Sequence, residues 1–221
     1  MSTAFKKTLS IPVGHGIHVT GDLVVPSDAK GIVIFSHGSG SSRFSPRNKM
    51  VADYLVQRQF ATLLFDLLTP EEDQDYDNRF NIRLLTERLV AVSEWLYSSP
   101  QTRDYSQAYF GASTGAAAAL YAAAVEGSEV AAVVSRGGRP DLAMEAFTTL
   151  HCPTLLIVGG DDTEVLQLNR KALAQIQAPK RLDIVPGATH LFEERGAMEQ
   201  VCVLATSWFE QYLHPIKMIP E

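Results

Sequence analysis

The sequence predicts an α/β chain built as three layers, one sheet with helices on both faces. Three observations predict it. Short, continuous apolar runs such as residues 31–35 carry the mark of strands buried on both sides. Stretches with apolar residues three and four apart, the mark of amphipathic helices, separate those runs. The first 25 residues hold no such helical stretch, so the chain enters the sheet through paired antiparallel strands before its β-α-β units begin.

In chain order, residues 7–11 and 17–25 read as two strands joined by Pro12-Val13-Gly14-His15-Gly16. Asp28-Ala29-Lys30 forms a polar turn into the strand 31–35. A helix over 46–58 puts Met50, Val51, Tyr54 and Leu55 on one face. The strand 60–65 follows, then a helix marked by Ile82, Leu85, Leu89, Val92 and Leu96. Residues 108–110 form the next strand, and 116–125 a small-residue helix able to lie close to the sheet. Strands at 130–134, 154–158 and 181–185 alternate with a helix over 165–176. A last helix shows Met198, Val201, Cys202, Ala205, Trp208 and Tyr212 on one stripe.

With 221 residues and 46% hydrophobic content, the chain can bury a substantial core as a single domain over 1–221. A net charge of −6 and the lack of a Lys/Arg run exclude a nucleic-acid surface. The longest apolar stretch, 116–125, falls well short of the ~18 residues a membrane span needs. Residues 1–10 lack the apolar centre of a signal peptide, so the expected location is the cytoplasm, as a monomer or homodimer. Cys152 and Cys202 read as small core residues, and neither has a partner at a metal-ligand spacing. His15 and His18 fit a surface hairpin better than a metal site, and Glu71, Glu72, Asp73, Asp75 and Asp77 fit a solvated loop.

The segment Gly111-Ala112-Ser113-Thr114-Gly115 lies between a strand and a helix. Such a turn forces a serine into strained backbone angles and exposes its Oγ, while two glycines let the helix fold back on the strand. The competing reading is an ordinary turn with serine as helix cap. A serine nucleophile needs a base, and His190, in a loop after the last strand, is the best placed of the histidines. The strand 154–158 ends in Gly159-Gly160-Asp161-Asp162; Asp162 is assigned to orient His190, and Asp161 to the turn. The Thr114 amide supplies one oxyanion donor, and the Ser39 amide, in the loop His37-Gly38-Ser39-Gly40-Ser41-Ser42, the second. Gly38 and Gly40 let that backbone approach a substrate, and Arg43, Arg136 and Arg139 are candidates to hold an anionic substrate group, with a surface or structural ion pair as the competing role for each. A phosphate-cradling loop is the alternative for 37–42, but the Lys-Ser/Thr that completes a P-loop is missing.

Gly-Ala-Ser-Thr-Gly, His-Gly-Ser-Gly-Ser-Ser, Gly-Gly-Asp-Asp-Thr-Glu-Val and Gly-Ala-Thr-His-Leu-Phe, in that set and with Ser113, Asp162 and His190 in that order, resemble the α/β-hydrolase superfamily and within it the dienelactone-hydrolase-like group. The resemblance spans roughly residues 17–212. It implies a mostly parallel eight-stranded sheet, a site at the carboxyl edge of the strands, and hydrolysis of an ester-like bond with no cofactor. Dienelactone hydrolases proper carry a cysteine where this chain has Ser113, which favours a carboxylesterase acting on small soluble esters through an acyl-enzyme. A dienelactone or lactone hydrolase, a phosphoester side activity and a non-catalytic receptor are the alternatives. Residues 137–152 leave little room for a lid.

Overall fold

The first two strands, β1 (Thr3–Pro12) and β2 (His18–Pro26), pair antiparallel as a hairpin. The computed structural model of the chain describes residues 3–215. Then come β3 (Ile32–Ser36), α1 (Pro46–Val56), β4 (Ala61–Phe65), α2 (Ile82–Ser98), β5 (Gln107–Ala112) and α3 (Thr114–Glu126). The chain continues through β6 (Val130–Arg136), β7 (Thr154–Gly159), α4 (Thr163–Gln175), β8 (Lys180–Val185) and α5 (Ala197–Tyr212). The strands form one eight-stranded sheet in the order β1-β2-β4-β3-β5-β6-β7-β8. β2 pairs antiparallel with β4, and every pairing from β4 through β8 is parallel. The expected three-layer sheet is therefore the one observed.

Strand alternation decides which helix covers which face. Ile32 and Ile34 pack with Leu85, Leu89, Val92 and Leu96 of α2 and with the alanines of α3. Their neighbours Val33 and Phe35 point the other way, against Val51 and Leu55 of α1 and Val201, Cys202 and Phe209 of α5. α3 can sit this close because Ala116–Ala119, Ala122 and Ala123 are all fully buried and present only methyl groups. Beneath it Tyr109 is buried, and its hydroxyl meets Ser93 Oγ of α2 at 2.6 Å. Among the described residues no helix is long and apolar enough to cross a membrane.

Two segments differ from the sequence expectation. β1 starts at Thr3 instead of Lys7, because its long ladder with β2 carries it past the Lys6-Lys7 pair. The acidic stretch is solvated at Glu71, Asp75 and Asp77 as expected, but it is ordered. It forms two single turns, Glu72–Gln74 and Tyr76–Phe80. Glu72 binds the buried guanidinium of Arg88 on α2 and accepts from the Thr69 amide at 2.9 Å. Asp73 takes Arg79 Nε at 2.8 Å. The segment 140–148 likewise makes short turns whose Ala143 and Phe147 are buried, and no large lid rises over the sheet.

Candidate active site

Ser113 stands between β5 and α3 with φ 51° and ψ −122°. A non-glycine residue held there stores roughly 1–3 kcal/mol of strain. Its own backbone bonds hold it in place. The Ser113 amide donates to Arg136 O at 3.3 Å, and Ser113 O accepts from Ala116 N and Arg139 N, each at 3.1 Å. A Cβ on Gly111 would fall 2.4 Å from Ala116 Cα, and one on Gly115 would fall 2.3 Å from the carbonyl oxygens of both Ser36 and His37. Both positions thus need glycine. Ser113 occupies the N-cap position of α3 but makes no capping bond, so its hydroxyl is not consumed by the helix.

His190 lies on the loop after β8. That loop is clamped to the end of β7, where the Asp161 amide donates to Ala188 O at 3.0 Å and a Cβ on Gly159 would meet the same oxygen at 2.2 Å. Asp161 is thereby a turn residue with an exposed side chain. Asp162 is the N-cap of α4, yet its side chain makes no cap bond and instead meets His190 Nδ1 at 2.7 Å. A carboxylate at Nδ1 favours the tautomer protonated there, which leaves Nε2 as an acceptor.

Ser113, Asp162 and His190 line one cleft of about 530 Å³ together with Ser39 and Thr114. Phe80, Leu142, Val165 and Leu168 make its apolar wall, and Arg139 and Glu164 stand at its side. A second cavity of about 250 Å³ shares Ser39, Ser113 and His190 and runs the other way, toward Ser45, Arg47 and Asn48 at the start of α1 and toward Arg136.

The loop after β3 rests on His37, which is 8% exposed. Its Nδ1 meets Gly38 O at 2.9 Å, and its Nε2 accepts from the Leu67 amide at 3.1 Å. Burial pushes its pKa down, against the pull of the Gly38 carbonyl and of Asp66 and Asp73. Gly38 packs close to Ser113; a Cβ there would lie 3.1 Å from Ser113 Cβ. The Ser39 amide, expected as an oxyanion donor, donates at rest to Thr114 Oγ1 at 2.9 Å. Gly40 lies on a small crevice away from Ser113. Arg43 is not brought to the serine either: its guanidinium binds Asp66, its Nε stands 3.3 Å from Asp22, and it borders a separate pocket. Arg136 does reach the Ser113 cavity. Sequence reasoning missed Arg47, Asn48 and the Thr114 hydroxyl. Ser45-Pro46 marks a helix start directly after the 37–42 loop, and that signal could have pointed to the first turn of α1.

Cys152 and Cys202 are free and buried, and burial raises their pKa values to about 12 and about 11, so neither supplies a thiolate at neutral pH.

A largely parallel sheet, a serine on the strained β5–α3 turn and a histidine–carboxylate pair over the same edge define an α/β-hydrolase. Comparison with known proteins narrows the class. The model of the dienelactone hydrolase family matches residues 19–213, and the chain belongs to that family. A dienelactone hydrolase from Anabaena variabilis is 52% identical, superposes with a TM-score of 0.92, and is matched over 95% of this chain and 99% of that one. Est1E from Butyrivibrio proteoclasticus shares the fold with a TM-score of 0.78 at 16% identity, over 92% of this chain and 98% of its own. A Mycobacterium tuberculosis protein with a provisional phosphoribosyl transferase name is 56% identical over 197 residues, 89% of this chain. The match covers 44% of that protein, so the chain spans under half the length of the curated relatives it matches.

Proposed function

We propose that the protein is a serine ester hydrolase in which Ser113 is the nucleophile, His190 the general base and Asp162 the residue that orients it. The observation that carries this reading is the 2.7 Å contact of His190 Nδ1 with Asp162, over the same cleft as an uncapped serine on a strained turn. His190 Nε2 takes the Ser113 proton as Oγ attacks the ester carbonyl, then returns it to the leaving alcohol. Water attacks the acyl-enzyme by the same route in reverse.

The amides of Thr114 and Ser39 receive the oxyanion. At rest the Ser39 amide rides on the Thr114 hydroxyl. A developing negative charge is the stronger acceptor, so the Thr114 hydroxyl swings aside and the fixed amide bonds the oxyanion as the tetrahedral intermediate forms. One such donor is worth roughly 10²–10³ in rate. The open, apolar side of the cleft suits a short acyl or alcohol chain on a soluble ester. The family and the Anabaena relative support hydrolysis over the transferase name, which belongs to a protein more than half of which has no counterpart here.

Labelling by a fluorophosphonate probe and turnover of p-nitrophenyl acetate test the reading together. Both are expected in the wild type and absent in Ser113→Ala. Turnover that survives the substitution would overturn the nucleophile.

A further inference from the structure

Arg136 ends β6 beside the serine, and its carbonyl accepts the Ser113 amide. Its side chain is 7% exposed, and among the described residues it makes no hydrogen bond and no ion pair; its Nε is a buried donor with no partner. Its guanidinium stands over the Phe192 ring, 5.7 Å from the centroid. The other arginines near this edge are paired: Arg43 with Asp66, Arg88 with Glu72, Arg139 with Asp141. A buried guanidinium without a counter-charge is costly, and the cost falls away when an anion fills the gap. Burial and the charge of Arg47 push its pKa down to about 10, so it stays cationic at neutral pH.

The cavity it lines, about 250 Å³, also holds the start of α1. Ser45 Oγ takes the Asn48 amide and Pro46 has none to offer, so among the described residues the Arg47 amide is the first-turn donor left open toward the cavity. Arg47 follows; among the described residues its side chain pairs with the exposed Glu193, at 3.2 Å, and its Nε has no partner. Asn48 is 2% exposed, with Oδ1 unpartnered among the described residues. A bare buried arginine, a second arginine and the positive end of an eleven-residue helix therefore converge on one side of Ser113.

We propose that this cavity is a subsite for the anionic end of the substrate, a phosphate group held by Arg136, Arg47 and the first turn of α1 while the ester carbonyl sits at Ser113. The proposal rests on the serine-hydrolase reading above. Phosphate is favoured over carboxylate because two guanidiniums reach the cavity from separate elements, Arg136 from β6 and Arg47 from α1. A tetrahedral dianion offers each an oxygen, whereas a planar carboxylate matches one guanidinium fork. The substrate is then a phosphorylated ester, cleaved at the carboxylic ester bond with the phosphate left intact.

Two ester series test this. One is p-nitrophenyl esters whose acyl chain ends in methyl, carboxylate or phosphate; the other is acetate esters of alcohols with the same three ends, followed by base uptake. In one series kcat/KM for the phosphate end is expected to exceed the methyl end by about 10-fold or more, the scale of one charge-assisted contact. Arg136→Gln should bring that ratio close to one, and Arg47→Gln should reduce it in part. Methyl phosphate should compete with the charged ester in the wild type and lose that effect in Arg136→Gln. No preference for charge in either series, or equal losses on methyl and phosphate ends in Arg136→Gln, would overturn the subsite. A preference for carboxylate over phosphate would overturn the choice of anion. If Arg136→Gln does not fold, Arg136→Lys and Arg47→Gln carry the same ratio test. Absence of both turnover and fluorophosphonate labelling would instead sink the hydrolase reading. The subsite would then stand or fall on whether methyl phosphate raises the melting temperature of the wild type, and raises it less in Arg47→Gln.

Discussion

Two arginines flank Ser113, one in each arm of the cleft. Arg139, in the wider arm, donates Nε and Nη2 to the two oxygens of Asp141 at 2.9 and 2.8 Å, and that carboxylate raises its pKa. Arg136, in the narrower arm, meets no carboxylate among the described residues and is pushed the other way by burial. Equal charges at similar distance along the chain from the serine thus have opposite meanings. The paired one completes a wall of Phe80, Leu142 and Leu168 that an uncharged chain can lie against. The bare one leaves a charge for something else to neutralise. A cation near a nucleophile is informative only once its partners are counted.

The largest expected effects touch what the two arms share. Asp162→Asn should lower kcat on p-nitrophenyl esters by roughly 10³–10⁴, because His190 loses its tautomer and orientation. Neutral and charged esters should fall alike; a loss confined to one class would mean that Asp162 acts as a substrate contact.

Stability separates the arms next. Arg136→Met is expected to leave stability unchanged or raise it by about 1–3 kcal/mol, since it removes an uncompensated buried charge. Arg139→Met should cost at most about 1 kcal/mol, the scale of a partly exposed ion pair. Urea midpoints measure both, and a strongly destabilised Arg136→Met would erase the contrast.

Acid probes the loop between the arms. Folded His37 holds its proton less tightly than the unfolded chain, so its contribution is complete above the ordinary imidazole value of about 6.5 and declines as pH falls from there toward the folded value. Protonation at Nε2 also removes the acceptor of the Leu67 amide. The urea midpoint should drop between pH 7.5 and 5, and drop less in His37→Asn. The smallest effect belongs to the wide arm. Phe80→Ala should reduce the preference for hexanoate over acetate esters by about 3–10-fold, the worth of one to two buried methylenes.

Much of the fold was legible because parallel strands buried on both faces leave unbroken apolar runs, as at 31–35 and 154–158. That Ser113, Asp162 and His190 would meet in one cleft was legible as well, since strand ends fix where short loops emerge. What escaped depends on partners distant in the chain. Arg43 and Arg136 look alike in sequence; Asp66 and Asp22 separate them. The turns at 72–80 depend on Arg88, sixteen residues beyond Glu72. The Thr114 hydroxyl reaches an amide 75 residues earlier in the chain.

The alanine-rich surface of α3 bears on how this protein can change. Each alanine from Ala116 to Ala119 is sealed against the sheet or a neighbouring helix, so almost any larger residue there would lift the helix and move Ser113. Variation is thereby driven outward, into the turns at 72–80 and 140–148 that border only the wide arm. A library built to retarget the protein should be drawn from those two stretches. Successive rounds should alter chain-length taste quickly while the axle beneath the serine stays as it is.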